Sequence, residues 1–132
     1  MKNITFFLLF LAFASIALAD NYALLVAGSN GWFNYRHQAD VHHAYQMLKG
    51  KNFKEENIIV MAFNDIANNT RNPFPGQIFN KPTYADPGVD VYKGAKIDYQ
   101  GADVTPENFV NILTGKKSLM KGVGSGKVLE TD

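Results

Sequence analysis

Three polar side chains close together in the segment 28–40 are of types that suit work on a polar substrate group. Asn34 can hold an imidazole in one tautomer through its side-chain carbonyl. Arg36 carries a planar fork of donors, and His37 follows it directly. The residues alone favour a plainer interpretation, in which Arg36 forms a surface ion pair and His37 lies at the start of a helix.

The sequence Gly-Ser-Asn-Gly at 28–31 allows three interpretations. It lacks both glycine-rich phosphate-binding spacings, and so does the stretch 122–127. With Ala27 in front, it is one residue away from the G-x-S-x-G turn of a serine nucleophile. That turn needs an acid and then a histidine further along the chain, and the histidines here come too early. A tight turn that uses glycine for positive φ is therefore favoured.

The histidines and carboxylates do not follow a metal-binding pattern. Metal-ligand pairs on a helix sit four residues apart, whereas His37 and His42 are five residues apart and His42 and His43 are adjacent. We expect one of them to be partly buried and two to be exposed. The acids of the later loop are dispersed and are interpreted as turn formers: Asp65, Asp86, Asp90, Asp98 and Asp103. We predict no metal and no cofactor.

The elements that must position the polar segment form a β-α-β unit. The apolar run 22–27 predicts a buried strand of a parallel sheet, and 58–63 predicts a second one. The helix between them begins near Arg36 or His37 and ends at Gly50, with an apolar face of Val41, Ala44, Tyr45 and Leu48. The polar segment thus lies at the carboxyl end of a strand, where α/β folds place their chemistry.

The rest of the chain carries weaker signals. The region 64–104 holds all but one of the five prolines and is predicted to be a long irregular loop. Thr105 as N-cap and Pro106 at the first position predict a short helix, which ends at Gly115. Its predicted buried face is Phe109, Ile112 and Leu113. Val128 and Leu129 are a candidate strand start.

The first 19 residues are predicted to be a secretory signal peptide. Lys2 precedes an apolar run over 4–16, and Ala17-Leu18-Ala19 is a small-x-small cleavage pattern. The remaining residues, 20–132, suffice for one domain. Asn68-Asn69-Thr70 is a candidate N-glycosylation acceptor in a polar loop.

The charge balance and the cysteine content limit which partners and which covalent links the chain can have. Loss of Lys2 with the leader leaves 12 basic and 12 acidic side chains. Such a balance gives no electrostatic footprint for nucleic acid or anionic lipid, so we expect neither nucleic acid nor, after leader cleavage, a membrane as partner. The chain contains no cysteine and therefore no disulfide.

From Tyr22 onwards the chain resembles the legumain family, asparaginyl cysteine endopeptidases of peptidase family C13. The first matching segments are Val-Ala-Gly-Ser-Asn-Gly-Trp at 26–32, Asn-Tyr-Arg-His-Gln-Ala-Asp at 34–40 and His-Ala-Tyr-Gln at 43–46. Further matches are 72–73, 75–76, 90–94, 98–99, Gly101, 103–109 and the Gly-Ser-Gly-Lys-Val-Leu of 124–129. A glycosylphosphatidylinositol transamidase-like peptidase, which shares the Phe-Asn-Tyr-Arg-His core, is the less similar alternative.

The resemblance implies a caspase-like, three-layer α/β fold with a mostly parallel sheet, of which 20–132 is the N-terminal part. It implies cleavage of peptides or proteins after asparagine, in a lysosome, a vacuole or the extracellular space. Asn34 matches the position that orients the catalytic histidine, and Arg36 and His37 match the start of the pocket that binds the asparagine side chain.

The chain also departs from the family pattern. The family's catalytic His-Gly and Glu-Ala-Cys segments would follow Val128-Leu129, and neither is present in the 132 residues. We therefore expect this chain by itself to be inactive. A shortened, non-catalytic paralogue that binds peptides through Arg36 and His37 is the alternative. In the family strand order the strand 22–27 would lie between 58–63 and a strand absent here. One edge is then unpaired, which predicts poor expression or a molten species.

Overall fold

The computed structural model describes residues 21–81 and 88–130. The predicted signal peptide and Asp86 lie outside these residues. The principal elements are β1 (Ala23–Ala27), α1 (Tyr35–Gly50), β2 (Ile58–Ala62), β3 (Phe79–Asn80), β4 (Val89–Asp90) and α2 (Pro106–Leu113). No helix within the two described ranges is long and apolar enough to cross a bilayer.

The predicted β-α-β unit is confirmed, but the prediction that its first strand is buried was wrong, since only Ala27 of the five residues of β1 is buried. β1 and β2 pair in parallel, with Ala23 opposite Ile58 and Ala27 opposite Ala62. α1 packs on one face of this pair, where Val41 and Tyr45 join the buried side chains of β1 and β2. The alternate residues of β2, Ile59 and Met61, pack on the other face with Ile112 of α2. Helix, sheet and helix make the three layers that the resemblance implies.

The ends of α1 differ slightly from the prediction. The helix begins at Tyr35, one residue before the predicted start, and Gly50 is its last residue rather than the residue that stops it. The residue with positive φ beyond the helix is Asn52, at 59°. Its N–H donates to Lys49 O over 3.0 Å. Asparagine tolerates this left-handed conformation, so it takes the role that sequence reasoning gave to glycine.

The described residues of the region 64–104 contain more regular structure than the predicted loop. β3 and β4 form a short antiparallel pair. Further along, the Tyr99 N–H donates to Val60 O over 3.0 Å, and Tyr99 O accepts the Ala62 N–H over 3.0 Å. This segment therefore covers the outer edge of β2. The long separation between Val60 and Tyr99 is why no local pattern indicated the pairing.

The start of α2 is as predicted, but its buried face is not. Thr105 Oγ1 accepts the Asn108 N–H over 3.1 Å, and Pro106 is the first helical residue. Ile112 is buried as expected, together with Asn111. The prediction was wrong for Phe109 and Leu113, which are 36% and 49% exposed. Only one side of this short helix meets the sheet layer, so apolar spacing alone overstated the contact.

Val128 and Leu129 are packed but do not form a strand among the described residues. Val128 is buried in the cluster of Ile59, Met61 and Ile112. The Leu129 N–H donates to Ile112 O over 3.0 Å, which joins this segment to α2 instead of to the sheet.

Candidate functional site

The turn after β1 is held by a carboxylate from the turn after β2. Asp65 Oδ2 accepts the Gly31 N–H over 2.6 Å, and Asp65 Oδ1 accepts from Gln38 Nε2 over 2.6 Å. Gly31 has φ +83, a conformation that favours glycine. Asp65 thus ties the 28–31 turn to the first turn of α1. Sequence reasoning interpreted Asp65 only as a turn former and missed this positioning role, because its partners lie 27 and 34 residues away.

The turn brings Ser29 against His37. Ser29 Oγ and His37 Nδ1 are 2.5 Å apart. Both oxygens of Asp65 are engaged by Gly31 and Gln38, so this carboxylate does not complete a Ser-His-Asp triad. The contact fixes the orientation of the His37 ring at the carboxyl end of β1.

Asn34 and Arg36 are both anchored to backbone carbonyls near the same turn. Asn34 Nδ2 donates to Asn30 O over 2.8 Å, which leaves the side-chain carbonyl as its acceptor. Arg36 Nη1 donates to Phe33 O over 3.0 Å while the side chain remains exposed. Asn34, Arg36 and His37 thus lie within four residues of each other where α1 begins, each with its own partner in or next to the turn after β1.

The other two histidines have different surroundings. His43 is exposed, whereas His42 is fully buried and packs edge-to-face with Tyr92, with ring centroids 5.2 Å apart. Neither ring nitrogen of His42 has a hydrogen-bond partner among the residues that the structure describes. Burial lowers the pKa of His42 to about 4, and nearby Asp90 opposes that change only in part. The expectation of two exposed histidines was wrong, since α1 turns His42 toward the 90–92 segment.

The described residues contain no group of three or more His, Cys, Asp or Glu side chains arranged to hold a metal ion. The acids act separately. Asp90 Oδ1 accepts the N–H groups of Ile78 and Tyr92, over 3.1 and 3.0 Å, which is the turn-forming role predicted for it.

The prediction that Asp98 is a simple turn former is wrong. It is buried, and its Oδ2 accepts the Val60 N–H over 2.9 Å. Its Oδ1 lies 3.2 Å from Lys127 Nζ. The lysine of the glycine-rich stretch therefore serves as an internal counter-ion for Asp98, consistent with the absence of a phosphate-loop spacing there.

The candidate glycosylation acceptor lies on an accessible loop. Asn68 and Thr70 are exposed. Asn69 between them is anchored, since its Nδ2 donates to Asp65 O over 3.1 Å and its Oδ1 accepts the Arg71 N–H over 3.0 Å. The acceptor thus lies on a loop with a defined shape, near the site but pointing to solvent.

Comparison with known proteins identifies relatives of the whole described region. Residues 21–132 match the model of the peptidase C13 family. The chain is 54% identical to rat (Rattus norvegicus) legumain over 111 residues, which are 84% of this chain and 25% of that protein. It is 56% identical to the legumain of Canavalia ensiformis over 115 residues, 87% of this chain and 23% of that protein. It is 54% identical to the vacuolar-processing enzyme of Vicia sativa over 110 residues, 83% of this chain and 21% of that protein. The chain thus spans about a quarter of the length of these relatives.

Proposed function

The chain belongs to the peptidase C13 family, and from this premise we propose that it supplies the substrate-binding side of an asparaginyl cysteine endopeptidase. The observation that carries the proposal is the fixed turn after β1. Asp65 and Ser29 hold this turn and His37 in place, and Asn34 and Arg36 are bonded to the backbone carbonyls of Asn30 and Phe33 beside it.

Each of the three residues has a role in this proposal. The guanidinium of Arg36 donates to the side-chain oxygen of the substrate asparagine, since its planar fork fits an amide oxygen. His37, oriented by Ser29, forms the neighbouring wall of the pocket. Asn34 uses its side-chain carbonyl, left available by the Asn30 bond, to hold the catalytic histidine in the reactive tautomer.

The nucleophile must come from elsewhere, because the 132 residues contain no cysteine. The thiolate would attack the scissile carbonyl and a histidine would move the proton. We therefore expect no hydrolysis by this chain alone. Residues 1–19 would direct it into the secretory pathway, toward a lysosome, a vacuole or the outside of the cell, and Asn68 would carry a glycan.

The test is to sequence the transcript across the codon for Asp132 and assay the product of the whole reading frame. The substrates are matched fluorogenic peptides with asparagine, aspartate or glutamine before the scissile bond. We expect cleavage after asparagine, slower cleavage after aspartate and none after glutamine. A product that cleaves all three at similar rates, or none of them, contradicts the proposal.

Arg36→Lys is the variant that tests the pocket. Loss of a fork-like hydrogen bond to the substrate is worth about 1.5–3 kcal/mol, so kcat/KM for the asparagine peptide should fall about 10- to 100-fold. Arg71→Lys is the matched control, because Arg71 is also exposed and lies over the ring of Phe33, 5.5 Å from its centroid. Equal losses of kcat/KM in the two variants would contradict the assignment of Arg36 to the pocket.

A further inference from the structure

A cleft of about 530 Å³ lies beside Arg36, between the first half of α1 and the segment that ends at β3. Of the described residues, four aromatic side chains line it: Trp32, Tyr35, Phe74 and Phe79. The charged side chains that reach it from the described part of the chain are all exposed: Arg36, Asp40 and Lys81. Its volume falls within the range of small-ligand pockets, roughly 300–1,000 Å³. Aromatic walls with charges at the solvent side suit an apolar group attached to a polar chain.

The walls of the cleft are joined to each other and form a fixed shape. The Phe79 N–H donates to the Tyr35 hydroxyl over 2.6 Å, which joins β3 to α1. Asn80 Nδ2 donates to Asp40 Oδ1 over 2.9 Å and makes a second link between the same two elements. The edge-to-face pairs Trp32–Tyr35 and Phe74–Phe79 have ring centroids 5.2 and 5.3 Å apart. A ligand would therefore meet walls that are already in place, which lowers the cost of ordering them.

The loop that carries Phe74 is also held from within. Asn72 is buried, and its Nδ2 donates to the carbonyl oxygens of Ile66, Ala67 and Gln77 over 3.2, 3.0 and 2.9 Å. Asn72 Oδ1 accepts the Phe74 N–H over 2.9 Å. Phe74 is nevertheless 50% exposed. Phe74 is therefore held rigidly and still offers half of its apolar surface for contact with a ligand in the cleft.

We propose that this cleft is a subsite for an aromatic or large aliphatic side chain of a peptide. Arg36 lines the cleft and is also the residue placed in the proposed asparagine pocket, so one bound peptide would reach both. In that link the inference rests on the proposed function: the peptide that presents its asparagine to Arg36 places a nearby apolar side chain between Trp32 and Phe74. Among the described residues of the cleft, Asp40 is bonded to Asn80, and Arg36 and Lys81 give the exposed rim an excess of positive charge. An acidic residue next to the apolar one is therefore favoured over a basic one.

The chain offers a direct probe of the cleft, because Trp32 is its only tryptophan. The chain is expressed on a fusion partner without tryptophan, and Trp32 emission is followed as capped peptides are added. One peptide contains Glu-Phe and no asparagine, one contains Lys-Phe, and one contains asparagine and otherwise only alanine. We expect saturable changes with both phenylalanine peptides, and at least threefold tighter binding of Glu-Phe than of Lys-Phe.

Phe74→Ala tests the wall without threatening the fold, because Phe74 is half exposed. We expect this variant to weaken binding of the Glu-Phe peptide at least fivefold. Phe33→Ala is the matched control, since Phe33 is 84% exposed and is not among the residues that line the cleft. We expect its effect to be less than twofold.

Every other outcome overturns the proposal. No saturable change, or equal losses in Phe74→Ala and Phe33→Ala, means that the cleft does not select an apolar side chain. A change of emission with chain concentration alone, matched by dimers in sedimentation, assigns the cleft to a second copy. Emission equal to that of the chain in denaturant means that the walls are not formed.

The cleft and the asparagine pocket can fail separately. If the Glu-Phe peptide binds but the peptidase assay shows no preference for asparagine, the cleft proposal is supported and the proposed cleavage specificity is contradicted. If peptides are cleaved after asparagine at the same rate with and without a nearby phenylalanine, the proposed function is supported and the cleft proposal is contradicted.

Discussion

The two strands of the parallel pair are alike in sequence and different in their surroundings. β1 reads Ala-Leu-Leu-Val-Ala and β2 reads Ile-Ile-Val-Met-Ala. All five residues of β2 are buried, whereas in β1 only Ala27 is buried and Val26 is 38% exposed. β2 is bonded on one side to β1 and on the other to the 98–99 segment, whereas β1 pairs only with β2 among the described residues. Apolar composition therefore does not reveal which strand is enclosed.

The difference lies in how the outer edges are closed. The edge of β2 is closed by Tyr99 and by the buried Asp98, which also holds Lys127. Nothing comparable closes the outer edge of β1 in the described part of the chain. The proposed site lies at the end of β1, and its residues are held by Asp65 across to the β2 turn. The enclosed strand thus supports the site that follows the open one.

The largest expected effect comes from breaking the closed edge at Asp98. Asp98→Ala leaves Lys127 without its counter-ion and the Val60 N–H without its acceptor. Asp98 is buried but the Lys127 side chain is 31% exposed, so the free energy of unfolding in urea should fall by about 2–4 kcal/mol, less than for a fully buried ion pair. Glu130→Ala is the control, because it breaks the exposed pair with Lys117 and should cost less than about 1 kcal/mol. Similar losses in the two variants would show that Asp98 does not fasten the edge.

A second change acts on α1, the helix that covers both strands. The pKa of His42 is about 4 in the fold, against 6.5 in an unfolded chain, so the unfolded state binds more protons between those pH values. Above about pH 6.5, His42 therefore does not change the free energy of unfolding. As the pH falls from 6.5 toward 4, protonation of His42 in the unfolded state lowers the free energy of unfolding by about 3 kcal/mol in all.

His42→Leu should remove this pH dependence, because leucine has no proton to take up and no unpartnered nitrogen to bury. Stability at neutral pH should rise by about 1 kcal/mol or more. The exposed His43→Leu is the control and should keep the slope of the parent chain. Urea unfolding at several pH values decides it, and equal slopes in the parent chain and His42→Leu would count against the burial argument.

Two glycines near the closed edge sharpen the comparison. A Cβ at Gly124 would lie 2.2 Å from Asp98 O, whereas a Cβ at Gly122 would meet nothing within 4 Å. Both residues have positive φ, +47 and +80, so both alanine variants carry backbone strain. Gly124→Ala should cost about 1–3 kcal/mol more than Gly122→Ala, because only it overpacks the 98–99 segment. Equal thermal midpoints of the Gly124→Ala and Gly122→Ala variants would mean that the 98–99 segment moves away from the new methyl group at little cost.

The smallest change in stability, and the largest in solubility, is expected at the open edge. Val26→Lys should alter the free energy of unfolding by less than about 0.5 kcal/mol, since Val26 is already partly exposed. A charge on an unpaired strand opposes edge-to-edge pairing, so sedimentation velocity should show less association. We expect the parent chain without a fusion partner to associate through this edge. A monodisperse monomer at the same concentration would contradict that expectation, and Val26→Lys would then have no association to reduce.

The sequence by itself determined the local features. The apolar runs predicted β1 and β2, and the i, i+3, i+4 pattern predicted α1, because a regular element repeats its burial at a fixed period. Thr105 and Pro106 marked the start of α2, since capping depends on neighbouring residues only. The order of strand, turn and helix placed Asn34, Arg36 and His37 at one strand end, and the similarity to known peptidases shows the family to which they belong.

Only the tertiary structure decided which residues meet across long separations. The bonds of Asp65 to Gly31, of Asp98 to Val60 and of Tyr35 to Phe79 join residues that are more than 30 positions apart. Whether Phe109 and Leu113 are buried likewise depends on where α2 lands on the sheet. The physical reason is that a hydrogen bond or an apolar contact needs proximity, and distant proximity is set by the packing of whole elements rather than by the residues between them.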